Sequence, residues 1–557
     1  MSEKGQDVLL MAVYFGKELR MGIYLDGSTA YTLYKSESVK PYFVDKTRML
    51  ESLFPFVDEG NNHICITRPR RFGKTVMANM IAAFFGKGSD SHDIFDQLWI
   101  AESEKYRRYL NQYHVIHIIF NEIPYGCRDY TQYIRRIQSG LVKDLKRAYP
   151  DMQMDSAEAV WDILKEIHEY GSRERFIFVL DEWDFIFHQD FITNQDRKDY
   201  ILFLSNLLKD KPYVAFTYMT GILPIAKYSS GSELNMFAEF TMAKSPLFSD
   251  CFGFTEQEVE SIYTKYLESC LDPQVSREGL RIWYDGYHTA AGERVYNPRS
   301  VVQALRFNHL ESYWTSSGPY DEIFYYIQNN VDAVRDEIAL MVSGTPVPAQ
   351  IQEYAAVSMN LSTKDEIFSA MVVYGFLSYE NGRVSIPNKE LMNKFDDMLR
   401  KEPSLDYVYR LARESDRMLR ATLSGDTETM LEILEYAHNT EIPLLSYNNE
   451  VDLTAVINLV YLSARNTYRV KRENKAGKGY VDFIFYPETD RSAPGIILEL
   501  KVNGTPEDAI RQIKSRNYIL AFRGKLGEAP KYTGKVLAVG IAYDKDTKKH
   551  SCKIEIL

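Results

Sequence analysis

The chain has 557 residues, 45% apolar and 26% charged, with a formal net charge of -11. That length predicts roughly two to four domains of ordinary globular composition, and the acidic balance excludes a molecule that binds nucleic acid over its whole surface. Cys65, Cys127, Cys251, Cys270 and Cys552 form no Cys-x-x-Cys pair, which argues against a zinc or disulfide scaffold; with no leader-like N-terminus and no apolar run of about 18 residues, a cytoplasmic location and no membrane partner are expected.

Residues 1–40 are weakly patterned and form an N-terminal segment. The spacing of apolar residues from Arg48 to Phe54 predicts an amphipathic helix. His63-Ile64-Cys65-Ile66 then reads as a buried strand and Val76 to Phe85 as a buried helix, with Thr67-Arg68-Pro69-Arg70-Arg71-Phe72-Gly73-Lys74-Thr75 between them. Strand, tight loop ending in Gly-Lys-Thr, then helix is the context a phosphate-binding loop requires. Backbone N–H groups of Arg70, Arg71, Phe72 and Gly73 and of the helix start face the phosphates. Lys74 is expected to reach the β/γ-phosphates of ATP or GTP, and the Thr75 hydroxyl to hold Mg²⁺. Arg68 stands where the usual pattern has its first glycine, so the loop must be approached differently. Arg68, Arg70 and Arg71 are expected beside the phosphates or against a neighbouring subunit, one of them offsetting the missing glycine.

Further along, Val115 to Phe120 reads as a second buried strand, and residues 129–148 and 156–169 have helical spacing. A third strand, Phe176 to Leu180, ends in Asp181-Glu182, and a fourth, Tyr213 to Met219, ends in Thr220-Gly221. Strands buried on both faces and separated by helices predict a parallel α/β sheet, whose ligands bind at the carboxyl ends of the strands. Asp181 is expected at the metal, and Glu182 to orient and deprotonate the attacking water. Thr220 either senses the γ-phosphate or is an ordinary turn residue. These features set a nucleotide-binding domain at 41–250 and a mostly helical lid at 251–320, in which Asp285-Gly286 reads as a turn. Residues 321–445 read as a helical linker region. Within it, a helix over 365–376 and a small hairpin after it suggest a winged-helix-like module.

Residues 446–557 change character. Residues 451–557 carry 19 Lys and Arg against 12 Asp and Glu, a net +7 that leaves -18 for the rest. Such a basic module suits a polyanionic partner, or is simply a lysine-rich surface. The pattern is helix (451–465), strands at 467–473, 480–486 and 495–501, helix (506–521), then strands at 535–542 and 551–556. Glu499 and Lys501 are two apart on one strand and so share a face, and Asp482 on the neighbouring strand can meet them. Two carboxylates and an ammonium at one spot suit a hard cation such as Mg²⁺ and attack of water on a phosphodiester. Glu450 can add a carboxylate; Gln512 and Lys514 can face the same site. The alternative is a surface ion pair between Glu499 and Lys501.

Together these residues resemble the AAA-ATPase-like proteins of bacteria and archaea that carry a C-terminal PD-(D/E)xK nuclease domain. The motifs are Tyr42 to Thr47, Arg68 to Thr75, Leu180 to Asp184, Thr220-Gly221, Tyr284-Asp285-Gly286-Tyr287, Tyr296-Asn297-Pro298, Gly477 to Asp482 and Glu499-Leu500-Lys501. The resemblance implies a P-loop NTPase sheet with a helical accessory region, followed by a restriction-endonuclease-like α/β domain. It makes the Arg-Pro-Arg-Arg-Phe-Gly-Lys loop the usual form. It also implies ATP and Mg²⁺ at Lys74, Thr75, Asp181 and Glu182. In the nuclease domain it implies metal at Glu450, Asp482 and Glu499, catalysis with Lys501, and Gln512 as an auxiliary. One departure is Tyr480, where the family often has Arg. A nuclease gated by nucleotide state, acting on DNA ahead of RNA and forming a homo-oligomer, is expected. The alternative is a regulatory NTPase whose nuclease-like module only binds nucleic acid or protein.

Overall fold

In the computed structural model the described residues are 22–557, apart from 61, 155–157, 172, 226–232, 315–326, 328–329, 352–360, 362, 440–449, 477–478, 489, 491, 523–531 and 533; of the side chains of 331–332, 438–439, 450–452, 473–476 and 479 nothing is described either. Most of the N-terminal segment and Gly477-Lys478 thus lie outside the described residues. The chain divides into two compact units. The first comprises residues 1–318, 349–361 and 365–390; the second comprises 319–348, 362–364 and 391–557.

The first unit is built on five strands, β1 (Asn62–Thr67), β2 (His114–Ile119), β3 (Phe176–Asp181), β4 (Val214–Gly221) and β5 (Phe237–Phe240), in the order β2-β3-β4-β1-β5. All four pairings are parallel. Register aligns the strand ends: Thr67 lies opposite Gly221, and Asp181 opposite both Thr220 and Ile119. Alternation sends Phe176, Phe178 and Leu180 of β3 into one core and Ile177 and Val179 into the other. The first core is closed by α3 (Tyr130–Ala148), α4 (Val160–Tyr170) and α5 (Asn194–Leu208), the second by α1 (Arg48–Glu59) and α2 (Lys74–Phe85). A sheet covered on both faces explains why its strands read as continuous apolar runs.

Sequence reading yields four of these strands and omits β5. Its Phe-Ala-Glu-Phe core is short, and only the first residue is buried. Helix α5 is also absent from that reading, although Thr193 and Asp196 form a reciprocal capping box at its start.

After the sheet come α6 (Glu256–Ser269), α7 (Arg277–Tyr284) and α8 (Pro298–Phe307), packed around their own core of Tyr266, Tyr284, Tyr296 and Val301. The helix and hairpin expected after residue 365 are present as α9 (Lys364–Tyr374), β6 (Ser378–Glu380) and β7 (Arg383–Ser385). Residues 365–390 pack within the first unit rather than forming a separate linker. The Tyr287 hydroxyl donates to the Gly375 carbonyl at 3.1 Å and the His288 N–H to Ser378 Oγ at 2.8 Å.

The second unit carries helices α10 (Tyr407–Ser424), α11 (Thr427–Asn439) and α12 (Glu450–Val460) and a five-stranded mixed sheet. Its strands are β8 (Tyr468–Ala476), β9 (Gly479–Pro487), β10 (Gly495–Val502), β11 (Val536–Asp544) and β12 (Lys549–Ile556), in chain order across the sheet. Only β10 and β11 pair in parallel; their connection contains α13 (Pro506–Ser515). Thr505 and Asp508 cap α13 reciprocally, with Pro506 in its first turn, so the helix starts where the sequence says it should. Ile510 and Ile513 of α13 cover Ile484 and Ile497 of the sheet. Tyr461 packs on Phe485, on the other face, with ring centroids 5.3 Å apart.

Candidate functional sites

Gly73 caps α2 with φ +90°, a backbone conformation that disfavours a side chain although a Cβ there would meet nothing within 4 Å. It turns the chain so that Lys74 and Thr75 open the helix. Lys74 is buried, and its ammonium donates to the Arg68 and Pro69 carbonyls at 3.0 and 3.1 Å. Burial lowers its pKa, opposed by Glu182, Asp184 and Asp181.

Asp181 has the parity of Ile177 and Val179, so it projects onto the α2 side of the sheet. Its pKa is pushed up to about 6 by burial and by Glu182, with Thr75 and Lys74 pulling it down. Asp181 Oδ1 accepts the Glu182 N–H at 3.0 Å; Oδ2 is buried and has no hydrogen-bond partner. Glu182 has φ +54°, an uncommon conformation for a side-chain-bearing residue.

One expectation about the nucleotide site changes, and two narrow. Arg68 is turned into the protein interior. It is buried, donating to the carbonyls of Thr67 (2.8 Å), Phe240 (2.8 Å) and Phe248 (3.0 Å), with its guanidinium 4.9 Å from the centre of the Phe252 ring. The arginine in place of the first glycine therefore ties the loop to β5 and the segment after it. Phe72 is also buried, edge-on to Tyr287 with centroids 5.0 Å apart, so only its backbone is left to face a ligand. The Thr220 hydroxyl donates to the Ile66 carbonyl at 2.8 Å, which favours the structural reading of that residue over a phosphate sensor.

Arg70 and Arg71 remain at the loop. Arg71 has φ +71°, and its pKa is lowered by burial and by Arg299 and Arg70, with Glu182 opposing.

Several supporting residues carry no signal in a sequence scan for chemistry. Asp184 Oδ2 accepts the N–H groups of Ile222 (3.0 Å) and Leu223 (2.8 Å), which pins the end of β4 beside the Asp181-Glu182 turn. Trp314 donates its indole N–H to the Arg70 carbonyl at 3.1 Å, and its backbone N–H to Glu390 at 2.6 Å. Glu390 also accepts from Ser300 Oγ at 2.9 Å, and burial pushes its pKa up to about 7. The Asp285-Gly286 turn is more tightly built than a surface turn. Asp285 is buried, pairing with Arg294 at 2.5 Å, and Gly286 has φ +106° with the Pro387 carbonyl where a Cβ would be.

In the second unit, β9 and β10 pair as far as Phe483 and Leu498. Just beyond, the Asp482 carboxylate accepts the Leu500 N–H at 2.7 Å. Glu499 and Lys501 share the face of Ile497, and Lys501 Nζ lies 3.5 Å from Glu499 Oε1. Gln512, on α13, donates to the same Glu499 oxygen. Glu499 is 2% exposed, and its pKa is pushed up to about 7 by burial and by Asp482, with Lys501 opposing. Its Oε2 is buried without a hydrogen-bond partner. Asp482, Glu499, Lys501 and Gln512 are thus brought together. Lys514 is not; it pairs with Glu555. Glu450 begins α12, but its side chain lies outside the described residues.

Among the described residues no three or more His, Cys, Asp or Glu side chains gather at metal-binding spacing. Each site instead offers an orphaned buried carboxylate oxygen beside a lysine, with the Thr75 hydroxyl in the first unit and Asp482 in the second. That donor set fits a hard divalent cation.

Residues 32–230 match the family described as Predicted AAA-ATPase, and residues 453–551 match the PD-(D/E)XK nuclease superfamily. An uncharacterized protein in the vnfD 5′ region of Azotobacter chroococcum mcd 1 is 24% identical over 286 residues, which cover 50% of this chain and 51% of that protein. The chain therefore spans about half the length of that curated relative. Two solved structures are similar at 12% identity: a Walker-type ATPase of Pyrococcus abyssi (TM-score 0.35, 63% of this chain and 94% of that one) and the ORC2 protein of Aeropyrum pernix (TM-score 0.31, 63% and 92%). Among the described residues no helix is long and apolar enough to cross a membrane.

Proposed function

From the premise that the chain joins a region of the predicted AAA-ATPase family to a PD-(D/E)XK nuclease-superfamily domain, we propose that it binds and hydrolyses ATP and cleaves nucleic-acid phosphodiesters in its C-terminal domain, with nucleotide state gating the cleavage. The observation that carries this reading is the repeated arrangement of a buried, unsatisfied carboxylate oxygen beside a lysine, at Asp181 with Lys74 and at Glu499 with Lys501.

In the first unit, Lys74 leaves the Arg68 and Pro69 carbonyls to bind the β/γ-phosphates, assisted by backbone N–H groups at the start of α2. Thr75 and Asp181 hold Mg²⁺, and Glu182 orients and deprotonates the attacking water. In the second unit, Asp482 and Glu499, with Glu450 as a further ligand, hold Mg²⁺, and Lys501 orients the water that attacks phosphorus. Gln512 fixes the Glu499 carboxylate. When bound, the metal supplies charge stabilisation and a more acidic water at each site. DNA is favoured over RNA as substrate, and the active form is a homo-oligomer in the cytoplasm.

The test is incubation of the full chain with DNA or RNA and Mg²⁺ or Mn²⁺, with and without ATP. Metal-dependent cleavage that responds to ATP and is lost in Lys501→Ala supports the proposal. Nucleic-acid binding with no cleavage under any of these conditions would instead make the domain a binding module on a regulatory NTPase.

A further inference from the structure

The basic charge of the C-terminal domain is concentrated in one place. Between residues 465 and 478 lie Arg465, Arg469, Lys471, Arg472, Lys475 and Lys478 against a single Glu473, a net +5 of the +7 carried by residues 451–557. Arg469, Lys471, Arg472 and Lys475 lie on β8, an edge strand of the sheet.

Two of the cations serve the fold. Arg465 is half-buried and donates to Asn458 Oδ1 at 3.3 Å; desolvation pulls its pKa down to about 10. Arg472 donates to the Ser343 carbonyl at 2.6 Å and lies over Phe483.

Arg469 and Lys471 are placed otherwise. Register sets Arg469 opposite Tyr486 and Lys471 opposite Ile484, so both stand on the face that carries Asp482, Ile484 and Glu499. Their charged ends sit 5.3 and 6.0 Å from the centre of the Tyr486 ring, a ring itself braced by Phe522 at 4.8 Å. On the same register Lys471 is two residues from the position opposite Asp482, about 7 Å along the strand, and Arg469 about 14 Å. On β9, two residues before Asp482 and on its face, Tyr480 is 65% exposed, while its backbone is held by the Tyr518 hydroxyl at 2.5 Å. Charged edge strands also serve to block strand pairing between molecules. That function does not require two cations to be ordered over an aromatic ring on the face leading to the carboxylates.

We propose that β8 is a rail for the phosphodiester backbone: Arg469 and Lys471 bind successive phosphates of the strand that runs to the Asp482–Glu499–Lys501 cluster, and the exposed Tyr480 ring stacks on the nucleotide next to the cluster. This rests on the reading of that cluster as a nuclease site, but the rail is tested by binding alone.

Full-length protein is titrated into a labelled oligonucleotide, single-stranded in one arm and duplex in the other, without divalent ions, at several salt concentrations. Replacing both cations (Arg469→Ala with Lys471→Ala) is expected to weaken binding about tenfold or more near 0.1 M salt. It should also flatten the log–log salt slope by about 1.4 for single strands or about 1.8 for duplex, with ATP turnover unchanged. The charge-preserving exchange (Arg469→Lys with Lys471→Arg) should keep the wild-type slope, which a merely structural role for the two side chains would not predict. Tyr480→Ala should weaken the single-strand arm more than the duplex arm. Equal affinity and slope in wild type and the doubly replaced chain would overturn the proposal, as would failure of the wild type to bind either oligonucleotide. Binding with the expected slopes but no cleavage on adding Mg²⁺ upholds the rail and defeats the nuclease reading.

Discussion

Arg68 shows how one residue type at one position can carry either of two functions. Beside a phosphate-binding loop an arginine suggests charge neutralisation, yet its guanidinium donates to the carbonyls of Thr67, Phe240 and Phe248. Sequence cannot reveal this, because two of the partners are backbone groups more than 170 residues away. Restoring the consensus glycine, Arg68→Gly, is expected to lower stability by about 3 kcal/mol, since buried acceptors lose charge-assisted bonds. Denaturant unfolding of the full chain checks this, and a variant as stable as wild type would show that the buried bonds contribute nothing. Glu390 gives a pH prediction. Its folded pKa of about 7 lies above the usual 4.5, so the folded chain keeps a proton that the unfolded chain loses. The stability contribution of this group is complete below about pH 4.5, falls as pH rises through 7, and is flat above. Glu390→Gln should remove that fall, leaving the variant more stable than wild type at pH 8 by up to roughly 3 kcal/mol and closest to it near pH 4.5. Thermal melts across that range give the answer; parallel profiles would contradict it.

At the scale of elements, legibility in the sequence follows burial. Strands β1 to β4 are covered on both faces and appear as apolar runs, and the strands of the second sheet appear between clear turns. The Gly73-Lys74-Thr75 turn and the Asp181-Glu182 strand end are legible because polar residues interrupt apolar runs there, at the start of α2 and at the end of β3. Edge strand β5 was not, since one buried residue leaves little pattern. Nor was the bracing of the loop by Tyr287 and Trp314, which depends on tertiary contacts rather than on any local signal. In the second unit, alternation predicted that Glu499 and Lys501 share a face, but not that Asp482 would bond the Leu500 N–H where the β9–β10 ladder ends. That bond separates structure from chemistry. Asp482→Asn keeps an acceptor for the N–H and removes the charge, so cleavage should be lost with stability within about 0.5 kcal/mol of wild type. Asp482→Ala leaves the N–H without this acceptor and should cost about 1 kcal/mol more. Melting curves and cleavage assays of the pair decide; retained cleavage in Asp482→Asn would remove the carboxylate from the proposed metal site. Gly286→Ala belongs at this scale too. With φ +106° and a Cβ about 2.0 Å from the Pro387 oxygen, it should disrupt the packing of residues 365–390 on the Tyr284–Tyr287 segment. A loss of more than about 2 kcal/mol is expected, and a wild-type melting curve would contradict the packing.

For the whole molecule, the central proposal is that one polypeptide carries two separate cation-dependent sites with different substrates, one organised by Lys74 and one by Lys501. Each unit has its own sheet and its own core, so damage at one lysine leaves the other fold intact. The direct measurement is both reactions on both variants: ATP turnover and nucleic-acid cleavage with Mg²⁺, for Lys74→Ala and Lys501→Ala in the full chain. Lys501→Ala is expected to hydrolyse ATP at the wild-type rate and cut nothing, while Lys74→Ala loses ATP turnover and with it the response of cleavage to ATP. Undiminished ATP turnover in Lys74→Ala, or undiminished cleavage in Lys501→Ala, would contradict it.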